Sequence, residues 1–330
     1  MARCNIIEMK VGDKIEDFYL VKSKRNKTTR TNKSFLDLDL ADGTGSINAK
    51  VWDDAERASE LFQRGDVIKI RANVEEFQGK RQLKITLIRP VSNADDVDMA
   101  DLVKTSPHDL AEMIDWIKDT AETIEDANLK ALLMAFTDDN EFMEEFKNAA
   151  AARNIHHVYT GGLLEHTVKV TKTALFAAEE LYPGEVDRDL LIVGSILHDV
   201  GKVKELSPPP EVGYTTEGYL LGHIVIGSRL IREKAATLED FPEDILMQVE
   251  HLVVGHHGEK EWGSPAVPMT PEAMIIHQAD NLDAKTQIAL TAIAECPNDE
   301  EDFTDYHRTL GRHFFKRGVA ASRSKEEDNK

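Results

Sequence analysis

Leu197-His198-Asp199-Val200-Gly201-Lys202 sets an imidazole beside a carboxylate, with a glycine and a lysine just beyond. Neighbouring residues of a helix project about 100° apart. His198 and Asp199 therefore reach one point only where a helix ends, and Gly201 permits such an end. Working outward, His166 lies upstream, and His223, the pair His256-His257 and Asp280 lie downstream. Nitrogen and oxygen ligands in this order are the donor set of a divalent-metal centre that activates water against phosphate esters. His166, His198, Asp199 and Asp280 sit on three expected helices, which makes a metal site in a bundle core. His223, His256 and His257 form a second set. Asp199 then bridges two ions, ~3.5–4 Å apart in such centres. Lys202 is placed to meet a phosphate oxygen, so Asp199 and Lys202 are the candidate catalytic residues. One or two ions of Mn²⁺, Fe²⁺, Mg²⁺ or Zn²⁺ suit these ligands, and the absence of thiolate disfavours a structural zinc. His251 and His277 are read as structural.

The surrounding pattern is helical from Ser106-Pro107 onward, with Ser106 as the expected N-cap and Pro107 at the first helical position. Apolar spacing predicts further helices near 127–136, 140–152, 162–182, 188–199, 218–236, 242–257 and 270–295. Thr270-Pro271-Glu272 opens the last of these. No strand pattern interrupts the stretch.

Residues 10–91 read differently. Phe18-Tyr19-Leu20-Val21 is a short apolar strand. Ser34–Leu40 and Ser46–Trp52 alternate apolar and polar with period two around the turn Asp42-Gly43-Thr44-Gly45. Asp66–Ala72 and Leu83–Ile88 complete five strands, with Gly79 in a turn and a helical stretch from Ala55 to Phe62. Five strands with a helix between the third and fourth match an OB-fold barrel. The expected fold class is thus multidomain α and β, an N-terminal OB-fold barrel followed by an all-α bundle. The expected domains are 1–92 (barrel), 93–105 (linker), 106–316 (bundle) and 317–330 (a disordered tail).

Lys22, Lys24, Arg25, Lys27, Arg30 and Lys33 fall within twelve residues, read as the first inter-strand loop. OB-folds use that loop on nucleic acid. These cations, with Phe35 and Trp52 for base stacking, are the candidate nucleic-acid contacts. Phe18, Tyr19 and Phe77 are further aromatic candidates that the sequence does not sort from the core.

The net charge of −20 argues at first against a polyanionic partner. Its distribution reverses that. Residues 1–90 carry 18 Lys and Arg against 14 Asp and Glu, and the remaining 240 carry 22 against 46. A basic head on an acidic body implies two domains with different tasks. No apolar run approaches the ~20 residues of a membrane helix, and the N-terminus lacks the apolar stretch of a signal peptide. Two cysteines exclude a disulfide framework, and the expected location is the cytoplasm.

His166, His198-Asp199 and Asp280 resemble the HD-domain metal-dependent phosphohydrolases. More narrowly, the chain resembles the YhaM-type 3′-5′ exoribonucleases. The matching stretches are His157–His166, Ile196–Leu206, Leu220–Ile224, His256–Pro265 and Asp280–Lys285. The resemblance spans about residues 10–315. It implies an OB-fold domain joined to an HD domain and Mn²⁺-dependent removal of nucleotides from a single-stranded 3′ end. It also implies an intracellular setting and leaves homo-oligomerisation open. Pro208-Pro209-Pro210 and the acidic runs depart from the family pattern, and acidic surface lowers RNA affinity or sharpens its salt dependence.

Three readings follow. The first is an exonuclease acting on single-stranded RNA or DNA and releasing nucleoside 5′-monophosphates. The second is a phosphodiesterase for free or cyclic nucleotides, with the barrel binding a partner. The third is a non-enzymatic RNA-binding module with a structural metal, which the ligand set and Lys202 disfavour because a structural site closes its coordination sphere.

Overall fold

The computed structural model describes all residues except 1–3, 30–31, 93–94, 99–100, 154–158, 210–211, 295, 297–301 and 317–330. The expected tail, Arg30 and His157 therefore lie outside the described residues. The chain divides into two compact units, Met1–Pro107 with Pro208–Glu211, and His108–Ser207 with Val212–Lys330.

In the first unit, β1 (Lys14–Thr28), β2 (Ser34–Asp42), β3 (Gly45–Val51), β4 (Val67–Phe77) and β5 (Lys80–Pro90) close a barrel in the order β1-β2-β3-β5-β4. Helix α1 (Ala55–Glu60) lies between β3 and β4. The period-two alternation sends Leu36, Leu38, Leu40, Ile47, Ala49, Val51, Ile68, Ile70, Ala72 and Leu83 into the barrel, where all are buried. The β3–β5 pairing is parallel and the other ladders antiparallel.

The basic loop expected after Val21 is mostly strand. β1 continues to Thr28, with a bulge between Val21 and Ser23, and pairs Arg25 with Asp37 and Lys27 with Phe35. Lys22, Lys24, Arg25 and Lys27 thus lie on a strand. The extension carries no apolar alternation because it runs past the barrel core. Backbone pairing and acidic cross-strand neighbours hold it instead.

In the second unit, α2 (Leu110–Glu122), α3 (Ala127–Thr137) and α4 (Asn140–Asn148) precede α5 (Gly162–Phe176), which runs into a π-helical turn at Ala177–Leu181. Then follow α6 (Arg188–Leu197), the short α7 (Lys202–Glu205), α8 (Thr216–Ala235), α9 (Glu243–Gly255) and α10 (Pro271–Ala294). Helix α2 starts three residues later than Ser106-Pro107 suggested. Asp109 is its N-cap, accepting from Ala111 N and Glu112 N. An aspartate followed by Leu110 and helical apolar spacing outcompetes the earlier serine. Thr270 does cap α10, accepting from Ala273 N at 3.2 Å.

Helices α5 and α6 form the centre. Residues Gly162–Val168 of α5 and Leu190–Leu197 of α6 are buried without a break, as expected of helices enclosed on all sides. That enclosure carries His166 and the His198-Asp199 pair into the interior.

Candidate metal centre and nucleic-acid interface

Helix α6 stops at Leu197, and His198 to Gly201 continue as tight turns. Gly201 is needed for a reason other than conformational freedom, since its backbone is right-handed helical (φ −67°, ψ −18°). A Cβ there would lie 2.0 Å from the His223 carbonyl oxygen, so only glycine lets α8 approach. Helix α8 is kinked at Gly222 (φ 71°, ψ 157°), a conformation that L side chains avoid. The kink turns the His223 amide onto Glu205 Oε1 at 2.9 Å.

The side chains converge on Asp199, which is buried. Its Oδ2 lies 3.4 Å from both His166 Nε2 and His198 Nε2, and its Oδ1 lies 3.5 Å from His223 Nε2 and 3.6 Å from His256 Nε2. Each oxygen therefore serves a different histidine set. Asp280 Oδ1 joins the first set, 3.2 Å from His166 Nε2. Ligand atoms of His166, His198 and Asp199 lie within 4.8 Å of one another, and so do those of His223, His256 and His257. Lys202 Nζ lies 2.5 Å from Asp199 Oδ2.

The orientation of the rings tests whether a cation fits. His198 Nδ1–H donates to Ser195 O at 2.7 Å and His256 Nδ1–H to Val253 O at 2.6 Å. His166 Nδ1–H donates to Asp283 Oδ2 at 2.6 Å, His223 Nδ1–H to Glu205 Oε1 at 3.0 Å, and His257 Nδ1–H to Trp262 O at 3.1 Å. Every Nδ1 is thus committed outward, leaving Nε2 lone pairs facing the centre, the arrangement that outer-shell partners impose on ligand histidines. The Nε2 atoms of His166 and His198 are 3.2 Å apart, and two lone pairs at that distance require a proton or cation between them. Asp199 Oδ1 and His223 Nε2 are buried without a hydrogen-bond partner. The residues present fit one or two divalent ions.

Protonation follows the same logic. Burial pushes the His256 imidazole well below its ordinary pKa; Asp199 opposes this, and neighbouring His198 and His257 add to it. Burial and His223 lower His257 as well. Burial also opposes charge on His166, but bonds to Asp199, Asp280 and Asp283 outweigh it and hold that pKa well above the ordinary value. Burial would raise Asp199, yet Lys202 and His198 keep its carboxyl well below the usual carboxylate range. The carboxylates around His166 favour positive charge at this point.

The sequence reading assigned no role to Asp283 and Glu205. The signal was spacing: Asp283 is one helical turn after Asp280, and Glu205 ends the short helix that starts at Lys202. His251 lies outside the centre and accepts from Met269 N at 2.9 Å. His277 Nδ1–H donates to His256 O at 2.8 Å, which supports the turn bearing the histidine pair.

In the barrel unit, Phe35 and Trp52 stack at 4.7 Å between ring centroids, and the Lys50 ammonium lies over Phe35 at 5.4 Å. Both rings are half-buried, whereas Tyr19 is core, its hydroxyl donating to Cys4 O. Phe77 is exposed, and Lys69 covers Phe18 at 5.2 Å. The cations divide by task. Lys24 Nζ donates to Ser59 O at 2.8 Å and to Phe62 O, binding the end of α1 to the barrel. Lys27 and Lys50 pair with Asp37, and Lys33 with Asp53. Lys22 and Arg25 are exposed.

Comparison with known proteins gives this arrangement its class. Residues 163–285 match the HD domain family, and residues 20–91 match the family described as OB-fold nucleic acid binding domain. The molecule is an HD-domain hydrolase carrying an OB-fold domain. The 3′-5′ exoribonuclease YhaM of Bacillus subtilis (strain 168) is 39% identical over 275 residues, covering 83% of this chain and 86% of that one. The protein of the same name from Halalkalibacterium halodurans is 39% identical over 312 residues, covering 94% and 95%. The chain belongs to the YhaM family of 3′-5′ exoribonucleases.

Proposed function

We propose that this chain is a Mn²⁺-dependent 3′-to-5′ exonuclease that shortens single-stranded RNA, with single-stranded DNA a second substrate, and releases nucleoside 5′-monophosphates. The observation that carries the reading is the Asp199 carboxylate, one oxygen toward His166 and His198, the other toward His223 and His256. A divalent ion held there supplies Lewis acidity and an activated water for phosphodiester hydrolysis.

The chain's own residues do the rest. His166, His198, Asp199 and Asp280 would hold one ion, and His223, His256 and His257, with Asp199 in common, would hold a second. Asp283 and Glu205 fix the tautomers of His166 and His223. Lys202 keeps Asp199 ionised and brings positive charge to where the phosphate's charge grows. On the barrel, Phe35 and Trp52 offer a stacking platform, and Lys22, Arg25, Lys27 and Lys33 offer charge for the backbone. No helix among the described residues is long and apolar enough to cross a membrane.

The test is a time course on 5′-labelled single-stranded RNA with Mn²⁺, with chelator, and with Asp199→Ala protein. A metal-dependent ladder shortening from the 3′ end, absent in the variant, is expected. Intact RNA alongside hydrolysis of free or cyclic nucleotides would reassign the centre to those substrates.

A further inference from the structure

Trp262 is 53% exposed, although the turn that bears it is firmly held. That single turn, Lys260–Trp262, is closed by bonds from Trp262 N to Glu259 O at 3.0 Å and from Ser264 N to Glu259 O at 3.2 Å. Ser264 is buried and bonded to Val254 O and Ala266 O, so the turn is pinned to the end of α9. The Trp262 carbonyl accepts His257 Nδ1–H at 3.1 Å, which ties the residue directly to one candidate metal ligand. Its ring lies 6.0 Å from the His277 ring, and His277 in turn supports His256. The Lys285 ammonium stands over the indole at 5.1 Å, from the α10 turn that follows Asp280 and Asp283.

A large ring is thus held partly in water, beside the histidine pair, with a cation against it. A lone exposed apolar side chain needs no explanation. One bonded through its own backbone to a metal-site histidine has a fixed place relative to the reacting phosphate. An indole face and an ammonium are also the two groups that a nucleotide recognises, the first for its base and the second for its phosphate.

We infer that Trp262, with Lys285 beside it, forms the subsite that stacks the base of the 3′-terminal nucleotide and so positions the last phosphodiester at the centre. This rests on the exonuclease reading above and adds to it a specificity element in the helical unit, separate from the barrel. Every base has a π-face, so the subsite demands a base without selecting which one. Trp262 is a binding and positioning residue, and the proton and charge chemistry stays with the centre.

Two 5′-labelled single-stranded RNAs, identical except that one ends in a uridine and the other in an abasic ribose, test this on the full chain with Mn²⁺. The readout is the rate of removal of the terminal residue at subsaturating RNA. Wild-type protein should prefer the base-bearing end by roughly five- to a hundredfold, the range that one base–aromatic stack supplies. Trp262→Ala should collapse that ratio to below about threefold, and Trp262→Phe, which keeps an aromatic face, should retain most of it. A Trp262→Ala protein with the wild-type ratio would overturn the inference, as would equal loss in the Phe variant. A wild-type ratio near one overturns this subsite and leaves the exonuclease reading intact. Two RNAs left whole by the wild type overturn both.

Discussion

The Nδ1–H of His166 donates to Asp283 Oδ2 at 2.6 Å, so a carboxylate that faces away from the convergence of ligands decides which nitrogen of His166 faces into it. The same arrangement recurs between Glu205 and His223. Two of the imidazoles around Asp199 are oriented by carboxylates, which also make the rings more basic and better donors to a cation.

Asp283→Asn should therefore weaken Mn²⁺ binding by about 10- to 100-fold, the usual cost of losing such a partner. Calorimetric titration of the metal-free protein measures it. Affinity within twofold of wild type would show that Asp283 does not orient His166.

Metal removal should lower thermal stability. An ion at ~100 times its dissociation constant adds about 2.7 kcal/mol, or roughly 5–10 °C for a domain of this size. Scanning calorimetry with Mn²⁺ and then with chelator should show that difference in wild type and little or none in Asp199→Ala, which removes the carboxylate common to both histidine sets. An equal Mn²⁺ effect in the variant would place the ion elsewhere.

Lys24 and Arg25 are adjacent, but their substitution should have different effects. Lys24→Ala removes the charged bonds to Ser59 O and Phe62 O and should destabilise the barrel unit by about 1–3 kcal/mol. RNA affinity should hardly change. Arg25→Ala should leave stability nearly unaltered, lower RNA affinity, and reduce the slope of log affinity against log salt by about 1. Urea unfolding and salt-dependent binding separate the two, and matching effects would reject the division of labour.

Asp37 predicts an acid limb of stability. Burial opposes its charge, but Lys27, Lys50 and Asn48 outweigh that and hold its pKa at about 2, below the ordinary 3.8. Because the folded value is the lower one, the stabilisation is complete above about pH 4 and disappears as pH falls toward about 2. Wild type should exceed Asp37→Asn by roughly 1–2 kcal/mol at pH 6, discounted for solvent around the lysines, and converge with it near pH 2. A difference independent of pH in chemical unfolding would assign the effect to packing.

Much of this was legible in the chain. Period-two alternation from Ser34 to Leu40 requires a strand with one face buried, and apolar runs flanked by caps such as Thr270-Pro271 require helices. These are local rules, and they produced the barrel and the bundle. Charge hid the rest. The polar run Lys22–Thr28 looks like a loop because its strand is held by backbone pairing and cross-strand ions instead of by a buried face. Asp109 displaced Ser106 as a cap because capping depends on where the first packed turn falls.

The sequence by itself determined which residue types were available for the centre: imidazoles and carboxylates in a fixed order, without thiolates. Those identities limit the chemistry before any folding. Only the tertiary structure decided which of them meet. Asp199 divides its two oxygens between two histidine sets because Gly201 lets α8 come within contact of the α6 end, and because Gly222 bends α8 so that His223 faces inward. Asp283, Glu205 and Trp262 acquired their places in the same way. Asp283 meets His166, Glu205 meets His223 and Trp262 meets Lys285 across different elements, and contact between elements is created only when the helices pack.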